Sequence, residues 1–172
     1  MTIIEGHLFL NGKKPIQHRS SYGLGEVIKA ALDNHTEHLV ISLGGIGSFD
    51  GGAGMLQALG ATFYDDEAQI VDMRKGAYLI KYIRRIDLSG VHPQLTKVNI
   101  QLMSDFSSRL YGKKSEIMQT YESLDLSQNE AAEIDNLIWY FSELFKNEMK
   151  IAMGPIERGG AGGGIAVSYT HL

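Results

Sequence analysis

Residues 42–60 read SLGGIGSFDGGAGMLQALG, seven glycines set around a single acid, Asp50. Glycine in a regular element gives up the most conformational freedom and packs no side chain, so this density marks main chain held close to a ligand or turned through positive φ. The flanks say what the loop joins. Upstream, His38-Leu39-Val40-Ile41-Ser42-Leu43 is short, β-branched and apolar, the pattern of a strand buried on both faces of a parallel sheet. Downstream, residues 53–59 carry helix formers, with Met55, Leu56 and Leu59 on one side and Gly60 as a C-terminal stop. A glycine loop feeding a helix N-terminus presents N–H groups and the positive end of the helix dipole, which suits a phosphate or carboxylate. Gly44, Gly45, Gly47, Ser48, Gly51 and Gly52 are therefore the candidate anion-binding residues.

Known nucleotide loops narrow the reading. Gly45-x-Gly47 opens like a dinucleotide fingerprint, but position 50 is Asp and the third glycine is missing, which speaks against a nicotinamide site. No Lys-Ser or Lys-Thr pair follows the glycines, so the phosphate loop of common nucleotide hydrolases is absent as well.

Composition sets the outer bounds. A chain of 172 residues, 44% hydrophobic and 21% charged, suits one well-buried globular domain, or one and part of a second. Sixteen basic against twenty acidic residues give a net charge of −4, which argues against a dedicated nucleic-acid surface. Without cysteine there is neither a disulfide framework nor a thiolate site. The N-terminal residues lack a basic region followed by a long apolar stretch, and no run approaches the length of a membrane span, so a cytoplasmic protein is the expectation.

The rest of the chain reads as α/β. Val27, Ile28, Ala31 and Leu32 at helical spacing predict a helix over 25–34, ahead of the buried strand. Residues 62–64 and 69–71 alternate around Asp65-Asp66-Glu67-Ala68 and predict a hairpin. Residues 76–85 predict a short helix with a basic end, and 97–103 a strand that delivers Ser104-Asp105 at its carboxyl end, where ligands of open α/β sheets collect. Asp105 is thus a second candidate acid. Ser127 and Glu130 form a capping-box signature, after which Ile134, Leu137, Ile138, Phe141 and Phe145 repeat on one face through Lys146. Trp139, Tyr140, Phe141 and Phe145 read as packing, and the six histidines, without metal-ligand spacing, as surface residues. A second glycine cluster follows Arg158 and suits a flexible linker or another ligand-facing loop equally well. The ending Ser168-Tyr169-Thr170-His171-Leu172 carries no structural signal and resembles adapter read-through.

Five blocks, SSYGLGEVIKAAL (20–32), LGGIGSFDGGAGMLQALGATF (43–63), RRIDLSGVHPQL (84–95), SDFSSRLYG (104–112) and RGGAGGG (158–164), resemble the bacterial glycerate kinase family, type 1, in order and spacing. The resemblance implies an ATP-dependent phosphotransferase acting on a hydroxyl of D-glycerate, with Mg2+ bridging the nucleotide phosphates. It also implies a mixed sheet with flanking helices, matching the inserted domain plus part of the Rossmann-like domain of a longer, two-domain enzyme. Residues 1–153 would form the main α/β domain, and 154–172 a glycine-rich loop leading into a truncated second one. In this frame Asp50 and Asp105 are the catalytic acids, either of them holding Mg2+, while Arg158, Gly159 and Gly160 join the loop glycines in binding substrate or phosphate. Homo-oligomerisation is left open. Ile46-Gly47-Ser48-Phe49 stand where the family commonly has Ser-Ala-Thr-Asn, Ser108-Arg109 where it has Asn-Pro, and its Gly-Pro-Gln-Lys-Gly segment is missing. A noncatalytic nucleotide- or hydroxy-acid-binding relative, and an inactive truncated gene product, are the alternatives to an active enzyme.

Overall fold

The computed structural model describes residues 2–4, 14–43, 47–104, 107–150, 152–154 and 158–166. Strand β2 (His38–Ser42) lies in the middle of a parallel sheet between β1 (Thr2–Ile4) and β5 (Asn99–Met103). The register pairs Ile41 with Ile3 on one side and with Leu102 on the other. Leu39 and Ile41 are buried to 1% and 0% exposure, whereas Val40 and Ser42 are half-buried, so the strand expected to be covered on both faces is fully covered on one.

Helix α1 (Tyr22–Asp33) lays Leu24, Ile28, Ala31 and Leu32 into the core. It packs on α2 (Ala53–Ala58) at Gly25, where an added Cβ would stand 2.6 Å from the Met55 carbonyl oxygen and 2.7 Å from the Ala58 methyl. Only glycine permits that approach. As read from sequence, Gly60 stops the helix: it stands just past the Leu59 C-cap of α2 with φ +110°.

The antiparallel part departs from the sequence pattern. The turn at 65–68 forms, with Asp65 N–H donating to Gln69 O at 2.9 Å and Val71 N–H to Phe63 O at 2.9 Å, yet Tyr64 and Ile70 make only an isolated bridge. The ladder partner of β3 (Thr62–Tyr64) is instead β4 (Arg85–Asp87), in a sheet separate from the parallel one. The helix expected over 76–85 is a 3₁₀ helix, Ala77–Tyr82, and Ile83 turns extended at ψ 131°. Tertiary demand outweighs local propensity here: Ile86 pairs with buried Phe63, and the Arg85 guanidinium lies 3.8 Å from the centroid of the Tyr64 ring.

Further along the described residues come helices α3 (Glu116–Thr120) and α4 (Gln128–Met149). The capping box of α4 is present in both halves: Glu130 N–H donates to Ser127 Oγ, and Ser127 N–H to Glu130 Oε2 at 2.8 Å. Ser127→Ala is expected to cost about 1 kcal/mol in urea unfolding. The Ser127 contacts also hold the Glu130 carboxyl below its ordinary value, so the support it gives is present above that value and is lost as pH falls through the folded one. Phe141 and Phe145 are buried and meet edge to face at 5.0 Å, with Phe63 against Phe141 at 5.7 Å; burying each such ring contributes roughly 1.5–3 kcal/mol. Trp139, expected to pack, is 48% exposed because it falls off the stripe that faces the core. His92, expected at the surface, is half-buried, with 14% of its side chain exposed and its Nε2 3.0 Å from Asp33. Among the described residues no helix is long and apolar enough to cross a membrane.

Candidate functional site

Parallel register places the site. Ser42 pairs with Met103, and Leu43 N–H donates to Met103 O at 2.8 Å, so β2 and β5 end side by side at the carboxyl edge of the sheet. That edge is where open α/β sheets hold their ligands. The glycine loop starts from one strand and Ser104 from the other. Gly44, Gly45 and Asp105 lie outside the described residues; Gly47, Ser48, Gly51, Gly52, Arg158, Gly159 and Gly160 lie within them.

The second glycine cluster is not a flexible linker. It folds back onto the first, with Ala161 and Ile165 buried, and Gly51 N–H donates to Gly163 O at 3.0 Å. A Cβ at Gly163 would overlap the Ser48 carbonyl oxygen, and one at Gly160 the Arg109 carbonyl oxygen. Gly160 N–H donates to Ser108 O at 3.2 Å, and Gly163 N–H to Glu116 Oε2 at 3.5 Å. Residues 47–52, 107–110 and 158–164, three stretches far apart in sequence, therefore form one backbone-to-backbone assembly. Among the buried side-chain polar atoms of the described residues, Ser108 Oγ is the one with no hydrogen-bond partner.

Asp50 has a task different from the one expected. Its side chain is 0% exposed. Oδ2 accepts from Ser21 N–H at 2.8 Å, Ser21 Oγ at 2.9 Å and Gly54 N–H at 3.1 Å, and Oδ1 accepts from Gly52 N–H at 3.0 Å. Ser21 Oγ in turn accepts from Met55 N–H at 2.9 Å. The carboxylate ties the first turns of α1 and α2 together. Gly54 is required there, since a Cβ would overlap Ser20 Oγ and stand 2.6 Å from Tyr22 N. Gly51 and Gly52 supply φ values of +61° and +79° that turn the loop into α2. Burial pushes the Asp50 carboxyl above its ordinary value, and the donors from Ser21, Gly54 and Gly52 pull it back. Acting as base on a substrate hydroxyl would need an accessible oxygen, which this arrangement does not give.

The same shell bears on metal. Every group hydrogen-bonded to Asp50 turns an N–H or O–H proton toward it, whereas Mg2+ requires oxygen lone pairs from several sides. Asp50 does not fit a cation. Among the described residues no three His, Asp or Glu side chains gather as a metal-binding group.

Sequence reasoning missed Ser21 and Gly54 as the partners that hold Asp50. The signal for Ser21 was present, as Ser20-Ser21 directly precede an apolar helical pattern in the manner of an N-cap.

A parallel sheet with flanking helices, and with glycine-rich main chain gathered at its carboxyl edge, defines an α/β protein. The Glycerate kinase family model matches residues 4–172, and the chain belongs to that family. It is 29% identical over 159 residues to a glycerate kinase of Halalkalibacterium halodurans, covering 92% of this chain and 41% of that protein. It is 30% identical over 151 residues to a glycerate kinase of Bacillus subtilis, covering 87% and 39%. To the glycerate 2-kinase of Escherichia coli it is 29% identical over 149 residues, covering 87% and 39%. A crystal structure from Salmonella typhimurium LT2 assigned as glycerate kinase 2 superposes with a TM-score of 0.88 at 26% identity, over 97% of this chain and 46% of that one. The chain thus spans about two fifths of the length of the curated relatives it matches.

Proposed function

We propose that this chain is the glycine-loop portion of an ATP-dependent kinase that phosphorylates D-glycerate. The observation that carries the reading is the convergence of residues 47–52, 107–110 and 158–164 at the carboxyl edge of the parallel sheet, in a chain whose relatives are named glycerate kinases. Phosphoryl transfer depends on positioning and charge neutralisation more than on covalent chemistry. The Gly51, Gly52 and Gly160 amides are engaged by Gly163, Asp50 and Ser108, so anion binding is assigned to Gly44, Gly45 and Gly47, with Arg158 neutralising carboxylate or phosphate. Asp105, carried on the chain that leaves β5, is the proposed acid beside the acceptor hydroxyl. Asp50 serves as a positioning residue that fixes the loop through its backbone. Bound Mg2+ would neutralise the nucleotide phosphates; with Asp50 surrounded by donors, Asp105 remains as its proposed ligand.

The test is ADP release by the complete gene product, supplied with Mg-ATP and a panel of small hydroxy acids. D-Glycerate-dependent turnover is the expected result. Calorimetric binding of ATP or D-glycerate with no phosphate transferred would overturn it in favour of the noncatalytic relative.

A further inference from the structure

We infer that Asp135, on α4, is a positioning residue for the candidate site, holding the loop at 109–116 on which the returning glycine segment 158–164 is seated. The inference deepens the kinase reading and rests on it, because Arg158, the proposed partner of the anionic substrate, belongs to that segment. Asp135 is half-buried, and its partners stand 23 and 20 residues before it in the chain.

The carboxylate fastens the loop to α4. Its Oδ1 and Oδ2 accept from Gly112 N–H at 3.0 and 2.8 Å, and Oδ1 also accepts from Ser115 Oγ at 2.5 Å. Bonds to a carboxylate are shorter and stronger than those between neutral groups. Gly112 turns the loop at φ +88°, and Ser115, buried, is the N-cap residue of α3. The loop closes on itself through Arg109 N–H to Lys114 O at 2.9 Å and Ser115 N–H to Gly112 O at 2.8 Å. Those bonds set its shape, whereas Asp135 sets where that shape stands relative to α4.

Both ends of the loop bear the glycine segment. At the near end Ser108 O accepts from Gly160 N–H at 3.2 Å, and buried Leu110 comes within 2.8 Å of where a Cβ at Gly164 would lie. At the far end Glu116 Oε2 accepts from Gly163 N–H at 3.5 Å. Within the segment, Ala161 N–H donates to Arg158 O at 3.1 Å, which joins Arg158 to the seated residues. Gly163 O accepts from Gly51 N–H at 3.0 Å and carries the connection into the first glycine loop. A route of direct contacts thus runs from Asp135 through residues 108–116 to both glycine segments. Without the carboxylate the seat can shift while the helices persist, and Arg158 shifts with it.

Two variants of the complete gene product test this. Asp135→Ala removes the acceptor, whereas Asp135→Asn can keep both contacts, its oxygen accepting from Gly112 and its NH2 donating to the Ser115 oxygen. Asp135→Ala is expected to raise KM for D-glycerate or for Mg-ATP about tenfold with kcat within about threefold, and Asp135→Asn to stay near wild type. Hydrogen exchange read by mass spectrometry should quicken about tenfold in peptides covering 158–166 of the alanine variant and stay unchanged in those covering 22–33. A fall in kcat at constant KM, or exchange quickened equally in both regions, marks a general loss of folded protein and overturns the proposal. An asparagine variant as damaged as the alanine one overturns it too. Should Asp135→Ala fail to melt cooperatively, Ser115→Ala, which removes a single bond to the carboxylate, decides by the same readouts, with changes of about threefold expected. Exchange is read whether or not phosphate is transferred. Absence of turnover in the wild type sinks the kinase reading alone, and turnover with KM and exchange unmoved in the variants sinks this inference alone.

Discussion

Asp50→Asn is expected to lower the unfolding free energy by about 2–4 kcal/mol, and so to damage the fold before it reports on chemistry. The carboxylate is fully buried and accepts from three main-chain N–H groups and the Ser21 hydroxyl. An amide of the same shape keeps one acceptor oxygen but turns an NH2 group against the remaining donors, leaving buried N–H groups unpaired. Because those donors belong to the first turns of α1 and α2, both helices lose their common anchor. Burial places the folded pKa of Asp50 above its ordinary value of 3.8. With the folded value the higher one, the stability tied to this carboxyl is full below the ordinary value and declines as pH rises through the folded value. The gap between wild type and Asp50→Asn should therefore narrow from acid toward neutral pH. Urea unfolding at several pH values measures it, and a gap below about 0.5 kcal/mol throughout would remove Asp50 as the anchor.

Local signals made part of this molecule legible. The apolar run of β2 and the Ser127–Glu130 box of α4 name their elements because the forces that form them act within a few residues. Nonlocal partners account for the failures. Helix α1 begins at Tyr22 rather than Gly25 because Ser21 finds its acceptor in Asp50, 29 residues away. Residues 83–85 leave the helical pattern because Phe63, in another strand, needs Ile86 beside it. At the candidate site the density of glycine was visible, but its division of labour was not. Gly51 and Gly52 are needed for positive φ, Gly54 for contact with Ser20 and Tyr22, and nothing local distinguishes the two demands. The same holds for Asp50: an acid among glycines looks like chemistry until the donors facing it from α1 are in view.

Gly163→Ala should separate the two glycine segments, at a cost of about 2–4 kcal/mol from a left-handed alanine together with an overfilled contact. Gly163 has φ +64°, and its missing side chain leaves room for the Ser48 carbonyl oxygen, with Phe49 Cα 3.0 Å from where a Cβ would lie. None of those neighbours is a flexible side chain, so relief requires main chain to move. The movement would lengthen the bond from Gly51 N–H to Gly163 O, now 3.0 Å, and loosen the turn that feeds α2. Gly23→Ala supplies the contrast. Gly23 lies within α1 with nothing within 4 Å of an added Cβ, so alanine there should stabilise the chain by about 0.5–1 kcal/mol. Opposite signs from the same one-carbon change, read in parallel urea unfolding curves, would tie the cost at Gly163 to its packing on residues 48–51. Equal, small effects at the two positions would mean that the returning segment does not hold the loop. In that event its three glycines at 162–164, all at positive φ, would owe their conformation to something other than the contact with Ser48 and Gly51.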